Sequence, residues 1–103
     1  MSGVPVDRGG RTFTERVYSM VESLAEGEVA TYGEIAVDAG RPGAARAVGR
    51  ILANSDGLPW WRVVTREGRL VPGLEDEHAL RLAREGLAVR RNRVVRRSGT
   101  RPE

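Results

Sequence analysis

Trp60, Trp61 and Arg62 stand in a row between Pro59 and Val63. Two indoles beside a guanidinium can wall an apolar pocket and stack on a planar ring. They can equally anchor a core. The absence of any cysteine limits what else such a site could do. Without a thiol there is no disulfide, no zinc thiolate and no cysteine nucleophile. His78 is the single histidine, so one chain cannot assemble a multi-histidine metal site. No metal or other cofactor is expected, and the site reads as one that binds rather than transforms. His78 itself is expected to be an ordinary exposed helix residue.

All 17 basic residues are arginine, against 14 acidic ones, for a net charge of +3. The planar guanidinium fork suits phosphates and the edge of guanine. Arg41, Arg46 and Arg50 fall close together, and six arginines but one acid lie between Arg90 and Glu103. That basic tail is expected either to be a solvated end or to reach phosphates.

The elements that must hold these residues follow from periodicity and punctuation. At 103 residues the chain is one domain. Residues 1–10 are rich in Gly and Pro and read as a flexible end, 11–89 as the domain, and 90–103 as the tail. Phe13, Val17, Met20, Val21 and Leu24 share a helical face. Thr12 or Thr14 starts that helix and Gly27 ends it. Glu28-Val29-Ala30 reads as a connector. Thr31 with Glu34 forms a capping box for a helix over Tyr32 to Ala39. Arg41-Pro42-Gly43 is a turn, and a third helix covers Ala44 to Ala53. Two short helices around a tight turn make a helix-turn-helix. Trp60 to Thr65 reads as a strand that returns through Arg69 to Val71 as a hairpin. A last helix runs from Glu75 to Glu85, with Leu80, Leu82 and Leu87 available to pack. Val89, Val94 and Val95 either add a short strand or nothing. The expected fold is mainly α with a small β-hairpin, a winged helix-turn-helix. No apolar run approaches the ~20 residues that span a bilayer, and no apolar leader is present at the start. A cytoplasmic location is the default expectation.

Motifs in order along the chain carry a resemblance. Gly27-Glu28-Val29-Ala30-Thr31-Tyr32-Gly33-Glu34-Ile35-Ala36 resembles the start of the DNA-binding domain of O6-alkylguanine-DNA alkyltransferases. Ala44-Ala45-Arg46-Ala47-Val48-Gly49 resembles its recognition helix. Pro59-Trp60-Trp61-Arg62-Val63 stands where those enzymes carry Pro-Cys-His-Arg-Val, and Glu85-Gly86 resembles the end of their last helix. Tryptophan at the acceptor position is a mark of the alkyltransferase-like proteins, which bind alkylated guanine without repairing it. This chain departs from most of those by carrying Trp61 where they have histidine. Its Asn54-to-Pro59 segment is also shorter, and its lid is reduced to Val71-Pro72-Gly73.

The resemblance implies a non-enzymatic sensor that binds duplex DNA containing O6-alkylguanine, flips the base and marks it for nucleotide-excision repair proteins. A monomer without membrane contact is expected. Arg46 would fill the vacated stack. Tyr32 would press on the flipped nucleotide's phosphate, with Thr31 and the amides of the helix start beside it. Arg41, Gly49 and Arg50 would complete the DNA-binding face. Tyr32, Trp60, Trp61 and Arg62 would line the alkylated-base pocket. Glu85 would be a partner on the buried side, or merely a helix-end carboxylate. The alternatives are a winged-helix protein that reads intact sequence and, improbable without a thiol, a degenerate alkyltransferase.

Overall fold

A computed structural model describes residues 11–95. The first helix, α1 (Phe13–Glu22), is capped by Thr12, whose hydroxyl accepts from the Glu15 amide at 3.1 Å while the Glu15 carboxylate accepts from the Thr12 amide at 3.0 Å. It ends at Ser23, four residues before the glycine expected to stop it. The anticipated connector instead contains a strand, β1 (Ala30–Thr31). The helix α2 (Tyr32–Asp38) follows at once, and its Thr31–Glu34 capping box forms as the sequence predicts. After the turn comes α3 (Ala45–Ala53).

The segment Trp60–Arg62 is a single 3-10 turn, not a strand, with the Arg62 amide donating to the Pro59 carbonyl at 3.1 Å. Only Val63–Val64 is extended; this is β2, and it pairs in parallel with β1, Ala30 opposite Val63 and Thr31 opposite Val64. The expected hairpin between Trp60–Thr65 and Arg69–Val71 is thus replaced by a long-range parallel pairing. A tight turn at Thr65–Arg69 remains, with the Gly68 amide donating to the Thr65 carbonyl at 2.8 Å. The last helix, α4 (Glu75–Arg84), is followed by the hairpin β3 (Val89–Arg90) and β4 (Arg93–Val94). The chain thus has its small hairpin, but further along than the sequence predicts. The first residues of the segment read as a basic tail belong to it, and Val94 is buried in the core. Residues 1–10 and the tail beyond Val95 lie outside the described residues.

Two apolar clusters result. One joins Phe13, Val17 and Val21 of α1 to Ile35 and Ala36 of α2 and to Val48 and Leu52 of α3, and it positions the helix-turn-helix. The other joins Val29, Val64, Leu70, Leu82 and Val94, with Trp61 packed against it. Of the leucines expected to pack, Leu82 is fully buried and Leu80 is exposed, since residues two apart on a helix face opposite sides. Among the described residues, no helix is long and apolar enough to cross a membrane.

Candidate nucleic-acid interface

The capping box that starts α2 sets the geometry of the first candidate region. β1 delivers the chain to Thr31, and the cap turns it so that Tyr32 faces α3. Gly49 on α3 lies against the Tyr32 ring; a β-carbon there would sit 4.0 Å from Cε1. Tyr32 is half-buried, packs on the first cluster, and burial pushes its phenol above the usual range. It is therefore a neutral donor at physiological pH.

A groove of about 1030 Å³ opens along this face. Thr31, Tyr32, Val37, Gly43, Arg46, Gly49, Thr65 and Arg66 are among the residues that line it. Arg46 is exposed on α3. Glu34 and Asp38 bring carboxylates to the α2 wall, whereas Arg46 and Arg66 stand on α3 and beyond β2. A phosphate is therefore favoured on the arginine side. Val37, 55 % exposed, gives the groove an apolar wall, a role outside the family motifs. Its signal was a branched apolar side chain on the helix face away from the core.

Not every predicted contact residue converges here. Arg41 is exposed, and its guanidinium lies 4.9 Å above the Phe13 ring. Arg50 is exposed on α3 and outside the groove lining, with its carbonyl accepting from the Asn54 side chain at 2.9 Å. Thr31 lines the groove but is buried, and its hydroxyl already accepts from the Glu34 amide at 3.0 Å. That amide is thus not free for an anion.

The second region is built around Glu85. Its carboxylate accepts from the Trp61 indole N–H at 2.7 Å, the Gly27 amide at 2.8 Å and the Arg62 guanidinium at 2.7 Å. Arg62 also donates to the Leu24 carbonyl at 2.9 Å. Burial disfavours the Glu85 charge, but the bonds from Arg62, Gly27 and Trp61 outweigh it and hold the carboxyl below its usual range. The hydrogen bond to Glu85 likewise raises the Arg62 guanidinium despite partial burial. Arg62 thus ties the Trp turn to α1's exit and α4's end, and its head is committed to those partners rather than to an incoming base.

His78 is not the exposed residue expected. It has no accessible surface. Its Nδ1 accepts from the Val71 amide at 3.0 Å, so Nε2 carries the proton and donates to the Trp61 carbonyl at 2.9 Å. The neutral ring ties Val71 to the Trp turn. Burial lowers its pKa, against the opposing effect of the Trp61 carbonyl. Trp60 meets His78 edge-on with ring centres 5.0 Å apart, and Trp61 at 6.0 Å. Arg81 of α4 lies 4.7 Å above Trp61 and 5.7 Å above Trp60. Both indoles are partly exposed. Trp61 is the more firmly held, by Glu85 and the second cluster.

The sequence model for the DNA-binding domain of 6-O-methylguanine DNA methyltransferase matches residues 12–88. The chain belongs to this family. It is 38% identical over 82 residues to a DNA base-flipping protein of Vibrio parahaemolyticus, covering 75% of this chain and 82% of that one. It is 42% identical over 84 residues to a DNA base-flipping protein of Escherichia coli, covering 76% of this chain but 64% of that protein's length. In structure it resembles S. pombe Atl1 in complex with damaged DNA containing O6-carboxymethylguanine, with a TM-score of 0.71 and 33% identity over 76% of this chain and 79% of that one. The Mycobacterium tuberculosis O6-methylguanine methyltransferase bound to DNA also matches, with a TM-score of 0.64 and 35% identity, over 74% of this chain and 50% of that one. The winged helix-turn-helix reading is thus shared with solved members of the family. Within it, this chain brings Tyr32, Gly49 and Arg46 to one groove, while Trp60, Trp61 and Arg62 lie outside that lining, the Trp61 and Arg62 polar groups being held by Glu85, Leu24 and His78.

Proposed function

We propose that this chain is a non-enzymatic sensor of alkylated DNA, binding duplex that contains O6-alkylguanine and holding the lesion nucleotide out of the stack. The observation that carries the reading is an open helix-turn-helix groove bearing Arg46 and Tyr32, in a chain whose motif turn carries two partly exposed indoles and no thiol. Family relatives named for base flipping, and one bound to DNA with an O6 adduct, support it.

The chemistry is differential binding. Extruding a nucleotide costs a few kcal/mol. Arg46 reaches from α3 with a long planar head able to occupy the vacated stack. Tyr32, fixed against Gly49 and kept protonated, offers a hydroxyl donor beside the groove. Trp60, with one edge on His78 and part of its surface exposed, supplies the apolar wall for an O6 substituent. Trp61 and Arg62 serve as the frame that orients it. Nothing accepts the alkyl group, because thiolate chemistry has no residue to run on. The reading carries with it a monomer working on DNA in the cytoplasm, and hand-over of the bent complex to nucleotide-excision repair proteins.

The test is a titration with duplexes carrying guanine, O6-methylguanine and bulkier O6 adducts, the alkyl group labelled. Tighter binding of the adducts with all label left on DNA is expected. Label transferred to the chain, or equal affinity for guanine and its adducts, would overturn the proposal.

A further inference from the structure

The hairpin after α4 carries a charge arrangement that the lesion site does not use. Arg90 lies directly opposite Arg93 in the β3–β4 ladder, and Arg93 in turn bridges Arg69 on the other side. The Val94 amide donates to the Gly68 carbonyl at 2.8 Å and the Leu70 amide to the Asn92 carbonyl at 3.1 Å, which fixes that register. Side chains that pair across strands point to the same face. Arg69, Arg93 and Arg90 therefore stand abreast on one face, while Leu70 and Val94 on the other reach the core. All three arginines are exposed. Glu67 is the one carboxylate in the segments 65–70 and 88–95.

Like charges placed directly opposite one another are destabilising. The fold nevertheless enforces this row. Arg91 and Asn92 both take positive φ, 53° and 61°, to make the two-residue turn. Gly68 approaches β4 so closely that a β-carbon would sit 2.8 Å from the Val94 carbonyl. A row of cations built at such expense calls for a polyanion. Its position says which one. The same turn that ends in Arg69 begins with Thr65 and Arg66, which line the groove.

We propose that Arg69, Arg93 and Arg90 form a second phosphate-binding surface, continuous with the groove through Arg66, that grips the duplex backbone to one side of the lesion. The inference rests on the DNA-sensor reading. Phosphate contacts of this kind add affinity without reading bases. They also let the protein hold intact duplex while it searches.

The experiment compares the full chain with R69Q/R90Q/R93Q and with R69K/R90K/R93K, on lesion and intact duplexes across a range of salt concentrations. Three lost phosphate contacts make the log–log salt slope shallower by roughly two to three units. The glutamine variant is expected to show that change equally on lesion and intact DNA, with the lesion preference kept. The lysine variant should restore the wild-type slope. Thermal unfolding of the glutamine variant should be equal to or above wild type, since repulsion is relieved. An unchanged slope overturns the proposal, and an acidic peptide retained by wild type but not by the glutamine variant would then assign the surface to a protein. A slope lost in both variants also overturns it, because the charge would not be what matters. Absence of lesion preference in wild type would sink the sensor reading while leaving the slope comparison to be judged on its own.

Discussion

The groove beside α3 and the cluster around Glu85 are built from similar residues to opposite ends. In the groove, Arg46 and Arg66 stand exposed and Val37 presents an uncovered apolar face. In the cluster, Arg62 spends its donors on Glu85 and Leu24, and His78 uses both ring nitrogens. The groove arginines face solvent, whereas Arg62 is paired with its own carboxylate. A binding surface must exchange partners with water and ligand, so its groups are left accessible. The frame behind it must not move, so its polar groups are satisfied internally. Trp60 belongs to neither group, outside the groove lining, packed edge-on against His78 and partly exposed.

The largest effect should come from breaking the frame. Glu85→Ala strands the Arg62 charge, the Trp61 indole N–H and the Gly27 amide together. Removing one partner of a buried pair typically costs about 3–5 kcal/mol, so denaturant titration should show a loss of that order. A loss below about 1 kcal/mol would mean the pair behaves as a surface contact.

The two tryptophans give the sharpest division. Trp61→Ala should destabilise the domain by an amount near the core-aromatic range of roughly 3–5 kcal/mol. Trp60→Ala should leave most stability intact and weaken binding of O6-adduct duplexes by roughly 1–3 kcal/mol. Reversed results, with Trp60 governing the melt and Trp61 the selectivity, would exchange their roles.

On the groove side, Arg46→Ala should weaken lesion binding by about 1–3 kcal/mol with little change in melting temperature. The loss should be greater for damaged than for intact duplex, because a stacking head matters only when a base is out. Equal losses would reduce Arg46 to a phosphate contact.

The smallest effect is a pH dependence confined to the frame. The folded state lowers the His78 pKa, so the unfolded chain binds the extra proton first. The stability contributed by the neutral ring is fully present above the ordinary histidine pKa of about 6.5 and is lost as pH falls through the folded value. Glu85, also lowered, adds a further loss below the usual carboxylate range. Denaturation midpoints measured from about pH 8 to pH 5 should decline for wild type and stay flatter for His78→Gln, whose amide can accept and donate without titrating. Parallel curves would remove His78 from the account.

Local signals made the helices legible. Thr31 and Glu34 announce a cap, and α1 and α3 follow their apolar spacing. The family motifs named Tyr32, Gly49 and Arg46, which the structure brings to one groove. The parallel rungs Ala30–Val63 and Thr31–Val64 had no local signal, since two-residue strands show no alternation. Trp60 to Val64 misled because aromatic and β-branched residues favour strands, while the bond back to the Pro59 carbonyl curls the first three into a turn. His78 was readable in retrospect: it lies four residues before Leu82, on the same buried face. Arg62 was assigned to the pocket by its place in the motif, and only the meeting of distant segments shows that Leu24 and Glu85 claim it.

The β1–β2 pairing has a consequence for how the molecule opens. Everything between Thr31 and Val63, including α2, α3 and the Trp turn, is one long loop fastened at its base by two rungs. Closing such a loop is an entropic expense met once for the whole segment. Its parts should therefore come loose together, with α2 and α3 exchanging their amide hydrogens as a unit. A duplex bound in the groove would slow that exchange throughout the loop, far beyond the residues it touches.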